Sequence, residues 1–223
     1  MADTRESTGI PALDRLLAGG IERKVITQIV GEPASGKTSL CLIAAVACLR
    51  SGRAVVWIDS EGFSVERFRQ VAGEEAETLA DRLFLYEPTD FARQGTMILE
   101  ADKTIRSRNV GLIVVDSATA LYRTELEHGK DAMQALTRQM LVLLGFARRY
   151  DIPVLITNQV YRDPAKNMYF GLGGTALEHI SKAIVMLERR INLGERKATL
   201  MKHRSIPPGG SFTFIMTGDG ISA

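Results

Sequence analysis

The chain is poor in cysteine, with Cys41 and Cys48 its only two in 223 residues. They stand seven apart on a stretch that reads as a helix, and so on one face. Two buried free thiols are expected, and a disulfide framework has no support. Histidine is also scarce. His128 and His179 have no metal-like partners, and no His/Cys/carboxylate spacing suggests zinc. No Ser or Cys nucleophile stands beside a base. No apolar run reaches transmembrane length, and Met1-Ala2-Asp3-Thr4-Arg5-Glu6 is not a signal peptide. A cytoplasmic protein with no membrane partner is expected. Repeats, low-complexity segments and linkers are absent, so a single domain over 1–223 is expected. Its 45% hydrophobic and 24% charged residues are ordinary for a folded chain with a substantial core. Net charge is only +2, but residues 182–204 carry +5 and the remainder −3. That basic stretch reads equally as a solvated hairpin edge or as a contact surface for phosphates.

What is present is a loop. Gly31-Glu32-Pro33-Ala34-Ser35-Gly36-Lys37-Thr38 has the spacing of a nucleotide-binding P-loop. The apolar, β-branched run Val25–Val30 precedes it and reads as a strand. Ser39 to Leu49 follows and reads as a helix. In that context the backbone N–H groups wrap phosphate at a helix N-terminus, with Ser39 just inside the helix. Lys37 reaches the β- and γ-phosphates and, without nucleotide, is expected to face solvent. Thr38 is placed to ligate Mg²⁺. The cofactors expected are therefore ATP and Mg²⁺.

Strands and helices then alternate. Strands are predicted over Ala54–Asp59, Leu83–Tyr86, Gly111–Asp116 and Val154–Asn158. Helices are predicted over Ser64–Ala72, Asp90 to about Arg106, and about Asp131–Tyr150. Continuous apolar strands between helices mean a parallel sheet covered on both faces. Tyr161–Thr175 reads as a loop. Strand candidates Ala183–Glu188, Lys197–His203 and Phe212–Met216 then read as an antiparallel meander, broken at Asn192-Leu193-Gly194 and Pro207-Pro208-Gly209-Gly210. The fold class is α/β: a mostly parallel central sheet flanked by helices, with a C-terminal antiparallel β-meander.

Open α/β sheets bind ligands at the carboxyl ends of their strands. Asp116 ends one strand, at the Walker B position, where it would hold the Mg²⁺ shell. Glu61 follows another and can activate the attacking water, with Asp59 as a competitor or a simple cap. Gln159 follows a third. It reads either as a sensor of the γ-phosphate or as a satisfied loop amide. Lys202-His203-Arg204 can supply cations, Lys202 and Arg204, to a neighbouring subunit's nucleotide, or can belong to a charged hairpin.

These residues together resemble the RecA superfamily. Ser7 to Ile21 is similar to the lead-in of its ATPase core, and Asp59-Ser60-Glu61-Gly62 to its catalytic-glutamate segment. Val115 to Thr124 and Ile156-Thr157-Asn158-Gln159-Val160 closely resemble archaeal and eukaryotic strand-exchange recombinases. The resemblance covers nearly the whole chain. It implies a RecA-like P-loop ATPase core with Glu61 as the base, Gln159 as the γ-phosphate sensor and Arg67 stacking on adenine. It also implies DNA contacts from Arg123 in a first loop and from Tyr161–Thr175 in a second. There Tyr161, Tyr169 and Phe170 would stack on bases, with Arg162 and Lys166 at phosphates.

The departures point to a branch of that family. Only six residues precede Ser7, so the helical DNA-binding domain and the Phe-x-x-Ala linker of the full recombinases are expected to be missing. The segment after Gln159 is short for their second DNA loop. A bare core of this kind resembles the archaeal recombinase paralogs, accessory repair proteins that bind ATP and DNA, hydrolyse ATP weakly and do not exchange strands alone. DNA and a main RadA-type recombinase are the partners implied; the oligomeric state is left open. Two alternatives stand beside this reading. One is an active strand-exchange enzyme. The other is a KaiC-like signalling ATPase without a DNA role, although such proteins typically carry two adjacent glutamates where Glu61-Gly62 stands here.

Overall fold

The computed structural model describes residues 4–163, 168–190 and 194–223. In chain order the elements are β1 (Arg5–Glu6), α1 (Pro11–Leu16), β2 (Ile21–Glu22), β3 (Ile26–Gly31), α2 (Lys37–Arg50), β4 (Ala54–Asp59), α3 (Val65–Ala72), α4 (Ala76–Ala80) and β5 (Leu83–Tyr86). Then follow α5 (Phe91–Ser107), β6 (Val110–Asp116), α6 (Gly129–Tyr150), β7 (Val154–Asp163), β8 (Met168–Gly171) and α7 (Gly174–Ile180). The chain closes with β9 (Ala183–Arg189), β10 (Glu195–His203), β11 (Ser211–Met216) and β12 (Ile221–Ser222).

The main sheet runs β12-β11-β10-β9-β3-β7-β6-β4-β5. From β9 to β5 all neighbours are parallel. From β9 to β12 they are antiparallel. The predicted parallel sheet and C-terminal meander are both present. Side-chain alternation explains why the parallel strands read as unbroken apolar runs. In β4, Val55 and Trp57 face one core with α2 and α3, while Val56 and Ile58 face the other with α5 and α6. β6 divides in the same way, Leu112 and Val114 against Ile113 and Val115.

Helix starts follow local chemistry. Ser64 accepts the Arg67 N–H at 3.1 Å, and Asp90 accepts the Arg93 N–H at 2.7 Å, so each caps its helix. Pro11 opens α1, where a missing N–H costs nothing. Asp14 in that helix accepts from Thr8 N–H at 2.8 Å and from the Ser7 and Thr8 hydroxyls, fixing the lead-in. Cys41 and Cys48 are buried thiols, as expected.

The loop expected over Tyr161–Thr175 is a correction. β7 continues to Asp163, and β8 pairs back on it with Val160 opposite Gly171 and Tyr161 opposite Phe170. α7 then begins at Gly174. The extended pairing depends on two chain segments meeting, which no local pattern reveals. Lys166 lies outside the described residues, as do Asn192 and Leu193 of the expected break. Among the described residues no helix is long and apolar enough to cross a membrane.

Candidate nucleotide site

β3 delivers the chain to Gly31, where only glycine fits: a Cβ there would stand 2.4 Å from the Leu187 carbonyl oxygen. The loop then turns through two left-handed residues, Ala34 (φ 59°) and Gly36 (φ 101°), and enters α2. No side chain caps that helix, which leaves its first N–H groups for a ligand. The Ser35 hydroxyl is buried without a hydrogen-bond partner. A cavity of about 380 Å³ opens over the loop. Gly36, Lys37, Thr38, Ser39, Glu61 and Gln159 all contribute to its wall.

Lys37 differs from expectation. It is buried, and its Nζ donates to the Gly31 and Glu32 carbonyls at 3.1 and 3.0 Å. Burial lowers its pKa, against the opposing pull of Glu61 and Asp116. The ammonium is held inside the loop by these two backbone oxygens, one of which, Glu32 O, also accepts the Ser35 N–H at 3.2 Å.

Asp116 ends β6 and is buried. The Thr157 hydroxyl donates to its Oδ1 at 2.5 Å, while Oδ2 has no hydrogen-bond partner. Burial pushes the carboxyl up to about 6, opposed by the Thr157 and Thr38 hydroxyls and reinforced by Glu61 and Asp59. A buried carboxylate oxygen without a partner, acted on by the Thr38 hydroxyl, suits a divalent cation.

Glu61, just after β4, and Gln159, within β7 where it passes the end of β3, meet, Gln159 Nε2 donating to Glu61 Oε1 at 2.8 Å. Asp59 accepts the Gly62 N–H at 2.9 Å and so closes the turn that carries Glu61. Burial raises its pKa, and that backbone bond opposes the rise. Gln159 also reaches the next hairpin. Its N–H donates to the Thr119 hydroxyl at 3.2 Å, and its carbonyl accepts from Leu172 N–H at 2.9 Å. Thr119 in turn donates to Asn158 at 2.8 Å, and Asn158 to the Leu172 carbonyl at 2.9 Å. One short polar chain thus joins the cavity wall to the root of β7–β8.

Other expected residues lie apart from the loop. Arg67 donates to the carbonyls of Thr217, Gly218 and Gly220 at 2.8–2.9 Å, clasping the turn between β11 and β12. Arg123 is exposed on the 3₁₀ turn Tyr122–His128. Tyr161 and Tyr169 are 51% and 41% exposed on the β7–β8 hairpin, and Tyr161 packs on Phe170 with ring centroids 6.0 Å apart. Arg162 sits on the same hairpin, opposite Tyr169. Lys202 donates to the Glu178 carbonyl, and Arg204 pairs with Glu22. β10 runs antiparallel to β9, so Lys202, opposite Ile184, is six residues and about 20 Å along the strand from Arg196, opposite Arg189. Neither cation lines the cavity over the loop.

Two wall residues were not singled out from the sequence: Arg196 and Met216. Arg196 belonged to the basic stretch 182–204, and that was its only signal. Nothing in its spacing links it to a loop 160 positions earlier.

A parallel sheet with a P-loop after one strand, a buried acid ending another and a glutamate after a third defines a RecA-like P-loop core. Residues 4–223 match the Rad51 family. The protein named "DNA repair and recombination protein RadB" of Methanoculleus marisnigri is 60% identical over 99% of both chains. Its namesake of Archaeoglobus fulgidus is 45% identical over 96% of both. A solved structure titled "Crystal structure of the RadB recombinase" superposes with a TM-score of 0.85 at 41% identity, covering 96% of this chain and 97% of that one. The chain belongs to the RadB branch of the Rad51 family.

Proposed function

We propose that this protein is an ATP-controlled accessory factor of DNA repair and homologous recombination. The observation that carries the reading is the single polar chain from Glu61 through Gln159 to the root of the β7–β8 hairpin. One end stands in the cavity over the P-loop, and the other holds a strand pair with exposed aromatics. ATP is the substrate. The loop N–H groups, Ser35 and Lys37 bind its phosphates, and Arg67 lies against the base. Thr38 and Asp116 would hold Mg²⁺, which supplies charge neutralisation at the phosphates. Glu61 takes the proton from the attacking water. Gln159 holds Glu61 until a γ-phosphate competes for its amide. Turnover is slow, because the ground-state bond between base and sensor must open first.

In the same reading Tyr161, Tyr169 and Phe170 stack on DNA bases while Arg123, Arg162 and Lys166 meet phosphates. This chain does not exchange strands by itself. The second DNA segment is a short hairpin, and a short hairpin has little reach along a stretched strand. Lys202 and Arg204 act on a neighbour's nucleotide, the neighbour being a main RadA-type recombinase or a second copy. The names of the relatives support the setting in DNA repair.

The test is equilibrium binding of a fluorescent ATP analogue with Mg²⁺ to the parent and to Lys37→Ala, with single-stranded DNA binding measured with and without nucleotide. Lys37-dependent nucleotide binding and nucleotide-dependent DNA affinity are expected. DNA binding indifferent to nucleotide would leave only a P-loop ATPase.

A further inference from the structure

We infer that Arg196 is a second phosphate-binding cation of this site, supplied to the chain's own nucleotide by the C-terminal meander. The inference rests on the nucleotide reading above and adds to it a residue outside the P-loop. Arg196 lies on β10, yet its stem crosses the loop. Its Cδ is 3.6 Å from where a Cβ on Gly36 would stand, beside Met216 Sδ and Phe214. The side chain lines the same cavity as Lys37, Thr38 and Glu61. Gly36 is the residue immediately before the P-loop lysine, so a cation over it stands at the phosphate rim.

The guanidinium is also short of partners. Its Nε is buried with no acceptor, and its Nη1 donates to the Gly194 carbonyl at 2.8 Å. An arginine carries five N–H donors, and a buried donor left unpaired is costly. No carboxylate among the described residues pairs with Arg196. Directly across the β9–β10 ladder stands Arg189, with no acidic partner either. Like charges on facing ladder positions repel. Two guanidinium groups on one face, unneutralised, beside a glycine loop make a place that favours an anion. The next ladder position, by contrast, sets Lys197 opposite an acid, Glu188.

A phosphate oxygen accepting from Arg196 would satisfy the buried donor and relieve the repulsion at once. It would also tie β10 to the occupied site, so nucleotide would tighten the strand that carries Lys202 at its other end. Arginine suits this place better than lysine, because its fork spreads several donors over one oxyanion.

The competing role is packing, the stem merely covering Gly36 and Phe214. Arg196→Met keeps the length and apolar contact and removes the donors, while Arg196→Lys keeps the charge. Binding of a fluorescent ATP analogue with Mg²⁺ is measured for both, with tripolyphosphate as competitor and thermal melting as the control for folding. Arg196→Met is expected to weaken the analogue and tripolyphosphate by about tenfold or more, since a charge-assisted hydrogen bond is lost. Arg196→Lys is expected to fall between. Equal affinity of Arg196→Met and the parent would overturn the inference while leaving Lys37-dependent binding in place. Weakened analogue binding with unchanged tripolyphosphate competition would also overturn it, by moving Arg196 to the base. A parent that binds neither probe sinks the nucleotide reading itself, and this inference with it.

Discussion

At the scale of single residues, the site is an arrangement of groups that lack partners. Ser35 Oγ in the P-loop, Asp116 Oδ2 at the end of β6 and Arg196 Nε beside the loop cavity are buried and unpaired. Such groups are uncommon in folded proteins, and a bound ligand can complete them. Glu61 is different: it has a partner in Gln159, and it is exposed to the cavity. Glu61→Gln therefore keeps the shape and a hydrogen-bonding group but removes the base. ATP binding should be unchanged, and phosphate release should fall by about 10²–10⁴-fold, the usual cost of losing a general base. Release at the parent rate would transfer the role to Asp59, whose carboxylate already serves the turn at Gly62.

At the scale of elements, two small pieces carry most of the consequence. The β7–β8 hairpin presents Tyr161, Tyr169 and Phe170. Replacing all three by Ala should weaken single-stranded DNA binding far more than ATP binding, since stacking contributes about 1–3 kcal/mol per base. What remains should fall steeply with salt. Equal loss of both affinities, or of neither, removes the hairpin from the DNA interface.

The ribbon β1–β2 is the second piece. Burial alone would raise the Glu6 carboxyl, but hydrogen bonds and charge from Arg53 and Arg23 outweigh it and hold it below the usual carboxylate range. Arg23 Nε donates at 2.6 Å and Arg53 Nη1 at 2.5 Å. A carboxyl lowered in the folded state stabilises above its unfolded pKa, near 4.5, and that stability is lost as pH falls through the folded value. Glu6→Gln should thus destabilise the fold by about 1–3 kcal/mol at pH 7. The melting difference from the parent should shrink below pH 4.5 and vanish in stronger acid. A pH-independent difference would mean that Glu6 acts through packing alone.

At the scale of the whole molecule, the cations at the far end of β10 matter only in an assembly. Lys202 and Arg204 are tied to Glu178 and Glu22 of their own chain and do not line its nucleotide cavity. The double change Lys202→Ala/Arg204→Ala should leave ATP binding by the isolated protein intact. It should lower only the turnover that appears with DNA and a partner recombinase. ATP turnover with and without those additions decides the matter. Efficient strand exchange by the purified chain would restore the alternative of an active recombinase.

The sequence by itself determined the elements whose causes are local. The P-loop, the strands of the parallel sheet and the capped helices at Ser64 and Asp90 could be read directly, because spacing, β-branching and capping act over a few residues. The roles proposed for Asp116, Glu61 and Gln159 were legible too, since strand ends in a parallel sheet all point to one rim. Tertiary structure decided the rest. Only packing buries Lys37 against two carbonyls, pairs β7 with β8, and fixes Arg67 on a turn 150 positions away. Only the antiparallel return of β10 sets Arg196 over Gly36 and Lys202 opposite Ile184. These depend on contacts between distant segments, and the free energy of such contacts is set by the assembled sheet and not by any short run of sequence.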